Sequence, residues 1–206
     1  MQKFGLASLL FISMFSFANT AYSTGISDNF RLSILGGITH GGDKVGRVEY
    51  LDGSTNNLDA GAFGYFGGGI EYDIKDDFIV QLNAQYHWDA AVASNGDMTF
   101  SRFELEAIPY YRLNERFRLG LGVGLHANVH LSSDFTNNVR GDVGDVEYDN
   151  ATAIIGSVGY NLENSDSWVE FRLVNVEYIV NKVGGKDYIA LPVDGNHFGL
   201  SYHWVF

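Results

Sequence analysis

Phe198-Gly-Leu-Ser-Tyr-His-Trp-Val-Phe206 alternates without a fault. Phe198, Leu200, Tyr202, Trp204 and Phe206 share one face, and Gly199, Ser201, His203 and Val205 the other. That is the period of a β-strand, whose successive side chains point to opposite sides. One face is wholly apolar and aromatic while the other is small and mostly polar. The pattern predicts a strand lying between two different media.

Working outward from this run, about eight stretches repeat it. The first, near Phe30 to Thr39, predicts Phe30, Leu32, Ile34 and Ile38 outward. The second, Gly61 to Ile74, sets Phe66, Ile70 and Tyr72 against Tyr65, Glu71 and Asp73. The third sets Phe78, Val80, Leu82, Ala84, Tyr86 and Trp88 against Gln81, Asn83, Gln85, His87 and Asp89. In the fourth, Phe100 to Leu113, Phe103, Leu105, Ala107 and Tyr111 oppose Arg102, Glu104, Glu106, Tyr110 and Arg112. Pro109 lacks an N–H for the ladder, which predicts a local irregularity or a bulge there. The fifth, Phe117 to Leu131, puts Leu119, Leu121, Val123, Leu125 and Val129 outward, and Arg118, the glycines 120, 122 and 124, His126, Asn128 and His130 inward. The sixth, Ala151 to Leu162, exposes Ile154, Val158 and Tyr160. The seventh starts at Trp168 with Glu170 and Arg172 inward, and its phase breaks near Asn175, where a bulge is expected.

The connections alternate in length. Lys75 to Asp77, Asn114 to Arg116 and Glu163 to Ser167 are short, whereas His40 to Ala60, Ala90 to Thr99, Ser132 to Asn150 and Val180 to Gly195 are long. Short periplasmic turns opposite long extracellular loops, on an even number of antiparallel strands, describe a transmembrane β-barrel. The fold expected is all-β, an antiparallel barrel of about eight strands. A soluble ligand-binding barrel would reverse the faces, with apolar side chains inside.

Composition agrees. Of 206 residues, 25 are Gly and 2 are Pro, and 15% are aromatic. Mean hydropathy is only −0.05 because each strand mixes an apolar and a polar face. The net charge of −12 argues against a nucleic-acid partner, which needs a basic surface. There is no cysteine, which removes disulfides and thiolate metal sites from consideration. Lys3 followed by an apolar run to Phe17 and small-residue sites at Ser16-Phe-Ala18 or Ala21-Tyr-Ser23 predicts a removed signal peptide over residues 1–23, leaving 24–206 as one barrel domain.

The inward face carries the candidate site residues. Arg31, Glu71, Arg102, Glu104, Glu106, Arg112, Arg118, Glu170 and Arg172 are of mixed sign, and an eight-stranded barrel is narrow enough for side chains to fill it. They are read as a structural charge network, with a selectivity lining for a narrow, porin-like small-solute channel as the alternative. A tight turn at Asp76 sets Glu71 across from Gln81, Tyr65 from His87, and Gly67 and Gly69 from Gln85 and Asn83. The same logic sets Gly120, Gly122 and Gly124 against Tyr110, Ile108 and Glu106. No catalytic residue, metal ligand or cofactor is expected. His126 and His130 stand ~13 Å apart along a strand, too far for one zinc whose ligands lie within ~2.1 Å.

Two loops are acidic. Asp43, Glu49, Asp52 and Asp59 accompany Lys44 and Arg47 in the first, and Asp134, Asp142, Asp145, Glu147 and Asp149 accompany Arg140 in the third. They lack the spacing of an EF-hand loop. They suit water, divalent counter-ions and lipopolysaccharide phosphates.

An aromatic residue ending a strand of this kind resembles the closing strand of bacterial outer-membrane barrels. That resemblance implies an assembly signal at Tyr202, Trp204 and Phe206, read by the barrel-assembly machinery. Ser94-Asn-Gly-Asp97, then Phe100-Ser-Arg-Phe-Glu-Leu-Glu106 and Arg118-Leu-Gly-Leu-Gly122, resemble a family of uncharacterised proteobacterial outer-membrane barrel proteins. More broadly the chain is similar to the small OmpX and OmpA-type barrels. These resemblances imply fold and location only, an integral barrel of the outer membrane. The expectation for this chain is a monomer with lipid and lipopolysaccharide around it, in a structural or surface-interaction role. His130-Leu-Ser132 resembles the His-x-Ser-Asn motif of outer-membrane lipid A deacylases, with Ser133 where that family has Asn. Strand parity predicts His130 and Ser132 inward, away from any lipid substrate.

Overall fold

The computed structural model describes residues 29–50, 53–93, 96–135, 144–163 and 165–206. The expected signal segment, Asp52, Ser94, Asn95, Arg140 and Asp142 lie outside these. In chain order the strands are β1 (Phe30–Gly41), β2 (Lys44–Glu49), β3 (Thr55–Asp59), β4 (Phe63–Lys75), β5 (Phe78–Ala93), β6 (Gly96–Arg112), β7 (Phe117–Phe135), β8 (Val146–Tyr148), β9 (Ala151–Asn161), β10 (Trp168–Asn175), β11 (Glu177–Val183), β12 (Lys186–Asp187), β13 (Pro192–Asp194) and β14 (His197–Val205).

Eight of them, β1, β4, β5, β6, β7, β9, β10 and β14, form an antiparallel ring. The ring closes where β14 pairs β1, from Ser33↔Val205 to Gly41↔His197. Phe206 completes the seam, its N–H and C=O both bonded to Leu32, at 2.9 and 3.1 Å. Closure leaves no lipid-facing strand edge, which a bilayer would penalise. The three short turns and both described ends lie on one side of the ring; the long connections lie on the other.

The outward face of the ring is an apolar belt. Leu32, Ile34, Ile38, Phe66, Leu82, Phe103, Leu105, Leu121, Val123, Ile154, Phe171, Leu173 and Leu200 are all exposed. Aromatic pairs Phe30–Tyr72, Phe78–Tyr111 and Phe117–Tyr160 line its lower margin at 4.5, 5.2 and 5.2 Å. An aromatic girdle at an interface suits rings with an apolar body and a polar tip.

Above the belt the logic inverts. On β10 and β11, Glu170 and Arg172 point inward, and so do Val174, Val176, Tyr178 and Val180, while Asn175 and Glu177 are exposed. Inside and outside keep their parity; their chemistry exchanges because the outer medium changes from lipid to water. The expected bulge at Asn175 is therefore not there. The strand is interrupted at Val176, whose N–H bonds to the Asn196 Oδ1 at 2.8 Å, with no change of face.

Pro109 makes a local irregularity and no bulge. The β6–β7 pairing stops at Ala107↔Val123 and resumes at Tyr110↔Gly120 in the same register. Pro109 is exposed on the outer face, and the ladder loses a bond without slipping. The bulge is opposite Ser101 and Phe103, where β7 carries an extra residue and Asn128 takes φ 51°. One extra residue flips every side chain beyond it. Val129 and Leu131 are buried, and Asn128, His130 and Ser132 face out, the reverse of the sequence expectation.

The first long loop is a hairpin, β2–β3, which the sequence pattern did not reveal. It folds over the upper mouth of the ring, burying Val48, Leu58 and Ala60 against Ala91, Met98 and Phe100 on β5 and β6. Val129, Leu131, Val146, Tyr148, Tyr178 and Val180 complete this roof.

Candidate functional site

Below the roof, the nine charged residues singled out from the sequence occupy the lumen in tiers. In the lowest, Asp73 accepts from Arg112 Nη2 at 2.5 Å and pairs with Arg31 at 3.2 Å. Arg31 also reaches Glu71 at 3.1 Å, and Glu71 accepts from Arg118 Nη1 at 3.1 Å and from the Trp168 indole at 2.9 Å. The Arg118 guanidinium lies 4.3 Å from the centre of the Trp168 ring, and His203 stacks on that ring at 3.8 Å.

In the middle tier, Arg172 donates from both terminal nitrogens to Glu106, at 3.0 and 2.9 Å, while its Nε stands 3.2 Å from Glu170. Glu170 also accepts from Tyr110 at 2.7 Å and from Ser201 at 3.1 Å. In the upper tier, Glu104 accepts from Arg102 Nε at 2.6 Å and Gln85 Nε2 at 2.5 Å, with His87 and His126 beside it. Arg102 Nη2 donates to His87 Nδ1 at 2.6 Å, and the opposite ring nitrogen of His87 donates to the Ala62 carbonyl at 3.1 Å. Arg102 Nη1 bonds the Ala60 carbonyl at 2.8 Å, so this tier holds the base of the roof hairpin.

Glu71, Glu104, Glu106 and Glu170 are at most 5% exposed, and each faces at least one arginine. Charges taken out of water cost several kcal/mol each unless paired and hydrogen-bonded. Here they are both. The expected register holds as well: Glu71↔Gln81, Tyr65↔His87, Gly67↔Gln85 and Gly69↔Asn83 across β4–β5, and Gly120↔Tyr110 and Gly124↔Glu106 across β6–β7, where it also sets His126 against Glu104. Packing explains the glycines. A Cβ on Gly69 would stand 2.3 Å from the Asn83 amide oxygen, and one on Gly122 2.5 Å from the Ala107 carbonyl.

A closed polar ladder inside an apolar, aromatic-edged belt suits a bilayer and not water. This is an integral barrel of the bacterial outer membrane. Its lipid-facing band starts near the Phe30–Tyr72 pair and ends below Asn175. No family model matches the chain, and no curated protein matches it. Among solved structures it is similar to the outer membrane protein AlkL in lipid bilayers, at 16% identity over 91% of this chain and 95% of that one, TM-score 0.46. Neisserial surface protein A is 12% identical over 84% of this chain and 96% of that one, TM-score 0.42. Ail, the attachment invasion locus protein of Yersinia pestis, is 15% identical over 85% and 97%, TM-score 0.39.

Two arrangements look like chemistry. Ser201, His203 and Glu170 form a triangle with edges of 3.1, 3.1 and 3.3 Å, which the sequence pattern did not flag because Glu170 stands 31 residues from Ser201 in the chain. The serine hydroxyl, however, donates to the carboxylate, and Ser201, His203 and Glu170 are 3, 0 and 0% exposed. A nucleophile needs its base on its own proton and a cleft for the substrate. On the outside, the flip at Asn128 removes the expected orientation objection to His130 and Ser132. Yet the ring nitrogens of His130 face the Asn128 carbonyl at 3.0 Å and Ser101 Oγ at 3.4 Å, and Ser101 is 1% exposed. Glu147, across the ladder from His130, pairs with Lys182 at 3.3 Å.

His126 and His130 end on opposite faces of β7, and no group of three or more metal-ligating side chains occurs among the described residues. Tyr202 and Phe206 are exposed on the outer face of β14, and Trp204 is half-buried beside Phe206. In the loops, Asp43 and Asp194 exchange bonds at 2.7 and 2.9 Å, tying the first loop to the last.

Proposed function

We propose that this barrel is a non-conducting, non-catalytic protein of the outer membrane, with a structural or surface-interaction role carried by its extracellular layer. The observation that carries the reading is the doubly filled lumen. Paired Arg and Glu side chains occupy its membrane section, and the β2–β3 hairpin packs Val48 and Leu58, 2 and 0% exposed, into the mouth above. Burial beneath that roof pushes the Tyr148 phenol up to about 12, as a dry environment should. Its surroundings supply the acids Asp43, Asp134, Asp145, Glu147, Asp149, Glu177 and Asp194, suited to contact with lipopolysaccharide through divalent cations.

The test is planar-bilayer conductance of the refolded barrel beside an Arg102→Ala variant, which cuts the bond to Ala60. A silent wild type supports the reading. Reproducible unitary steps that change in the variant would replace it with a narrow channel. For catalysis, Ser132→Ala should leave the lipid A mass profile of the host unchanged.

A further inference from the structure

On the outer face of the ring, at the upper margin of the belt, a depression of about 530 Å³ crosses β9, β10, β14 and β1. Its floor is Gly156, where an added Cβ would meet nothing within 4 Å, and its walls are Ile154, Leu173 and Phe198. Its upper rim is polar. Asn175 Nδ2 donates to Asn196 Oδ1 at 2.8 Å, and the same oxygen accepts the Val176 N–H at 2.8 Å. The Asn196 amide is thereby fixed with its oxygen toward the wall and its two N–H donors turned the other way.

We infer that this groove is a specific site for lipid A, holding one acyl chain against Gly156 and the chain's amide or ester carbonyl at the Asn175–Asn196 rim. The groove lies inside the lipid-facing belt, so lipid is its neighbour. It lies at the loop end of the barrel, so the leaflet is the outer one. Acyl chains are as apolar as the wall, so the site does not work by the hydrophobic effect. It works by shape and by rim hydrogen bonds, as association inside membranes does. Glu177 and Asp194, paired across β11 and β13 just above, are exposed. A lipid A phosphate at that height needs a magnesium ion between it and these carboxylates. This deepens the proposed contact with lipopolysaccharide but stands apart from the lumen: a conducting barrel could carry the same groove, and a silent one could lack the lipid.

Gly156→Leu fills the groove into open space. Gly68→Leu, on the outer face of β4 with its Cβ 3.4 Å from the Ser33 carbonyl, is the control. Each protein is reconstituted in phosphatidylethanolamine nanodiscs doped with lipid A and magnesium, released into mild detergent, and weighed by native mass spectrometry. Wild type and Gly68→Leu should each retain one lipid A. In Gly156→Leu the retained fraction should fall about tenfold, a weakening of ~1.4 kcal/mol, with the heat-modifiable gel shift of the folded barrel intact. Asn175→Leu, which removes a rim donor without filling the floor, should also lower retention and guards against misfolding of the first variant. Chelation with EDTA should lower retention in wild type. Retention of phosphatidylethanolamine in place of lipid A, equal loss in the control, or wild-type retention in both groove variants overturns the site.

Discussion

Arg172 on β10 and Glu106 on β6 meet as fork on fork across the barrel, Nη1 to Oε1 at 3.0 Å and Nη2 to Oε2 at 2.9 Å. Two strands, β7 and β9, separate them around the wall. The pair is therefore a cross-brace, and its bidentate geometry is the strong form of such a contact.

Replacing Arg172 by Met should leave Glu106 and Glu170 buried without their common partner and cost ~3–5 kcal/mol. Urea unfolding in lipid vesicles reads this. A combined Arg172→Met, Glu106→Leu, Glu170→Gln variant should recover much of the loss, since it buries no unpaired charge. If Arg172→Met unfolds like wild type, the brace does not stabilise the fold.

Gly122 and Gly156 are alternative tests of close packing. Alanine at Gly122 would press on the Ala107 carbonyl at 2.5 Å and the Ile108 Cα at 2.8 Å, backbone atoms that cannot step aside. The expected cost is ~1–3 kcal/mol. Alanine at Gly156 meets open space and should change stability by less than ~0.5 kcal/mol. The same unfolding measurement compares them.

Leu58 is fully buried in the roof. Leu58→Ala should cost ~2–5 kcal/mol of local stability in the hairpin without unfolding the ring. Hydrogen exchange should show faster amides in Lys44–Glu49 and Thr55–Asp59, with β5 and β6 below the roof unchanged. Equal acceleration throughout would mean that roof and ring unfold together.

Asn128 holds the left-handed conformation that resets β7. Glycine there should be tolerated, and Val should cost ~1–2 kcal/mol. Deleting the residue should leave Val129 and Leu131 inward and His130 outward, because plain alternation from Ala127 then gives those same faces, and the barrel should still fold above the belt. Near-ultraviolet circular dichroism of the refolded deletion should match wild type; a lost aromatic signal would mean that the extra residue is itself needed to fold the upper region.

Within the belt the sequence was legible because the two media differ. Phe78 to Asp89 reads as a strand with no ambiguity about its faces, and the Asp76 turn then fixed that Gln85 meets Gly67 and Asn83 meets Gly69. Above the belt the same reading failed at Val129, His130 and Asn175. There the outer solvent is water, so an apolar residue such as Val174 or Leu131 belongs inside, and polarity stops marking the lipid side. At Pro109 the structure chose between the two expected outcomes: a missing N–H costs one ladder bond but does not oblige a strand to slip.

The sequence by itself determined the all-β class, the strands and their faces in the membrane, the neighbour register, and the set of charges that the lumen would hold. Alternation is local, and a tight turn carries it to the next strand. The tertiary structure alone decided that Glu106 braces to Arg172, that Glu71 joins Arg118 and Trp168, and that the first loop roofs the barrel. Those contacts cross the lumen between strands that do not pair. Their partners are set by the diameter, tilt and closure of the ring, which no single strand encodes.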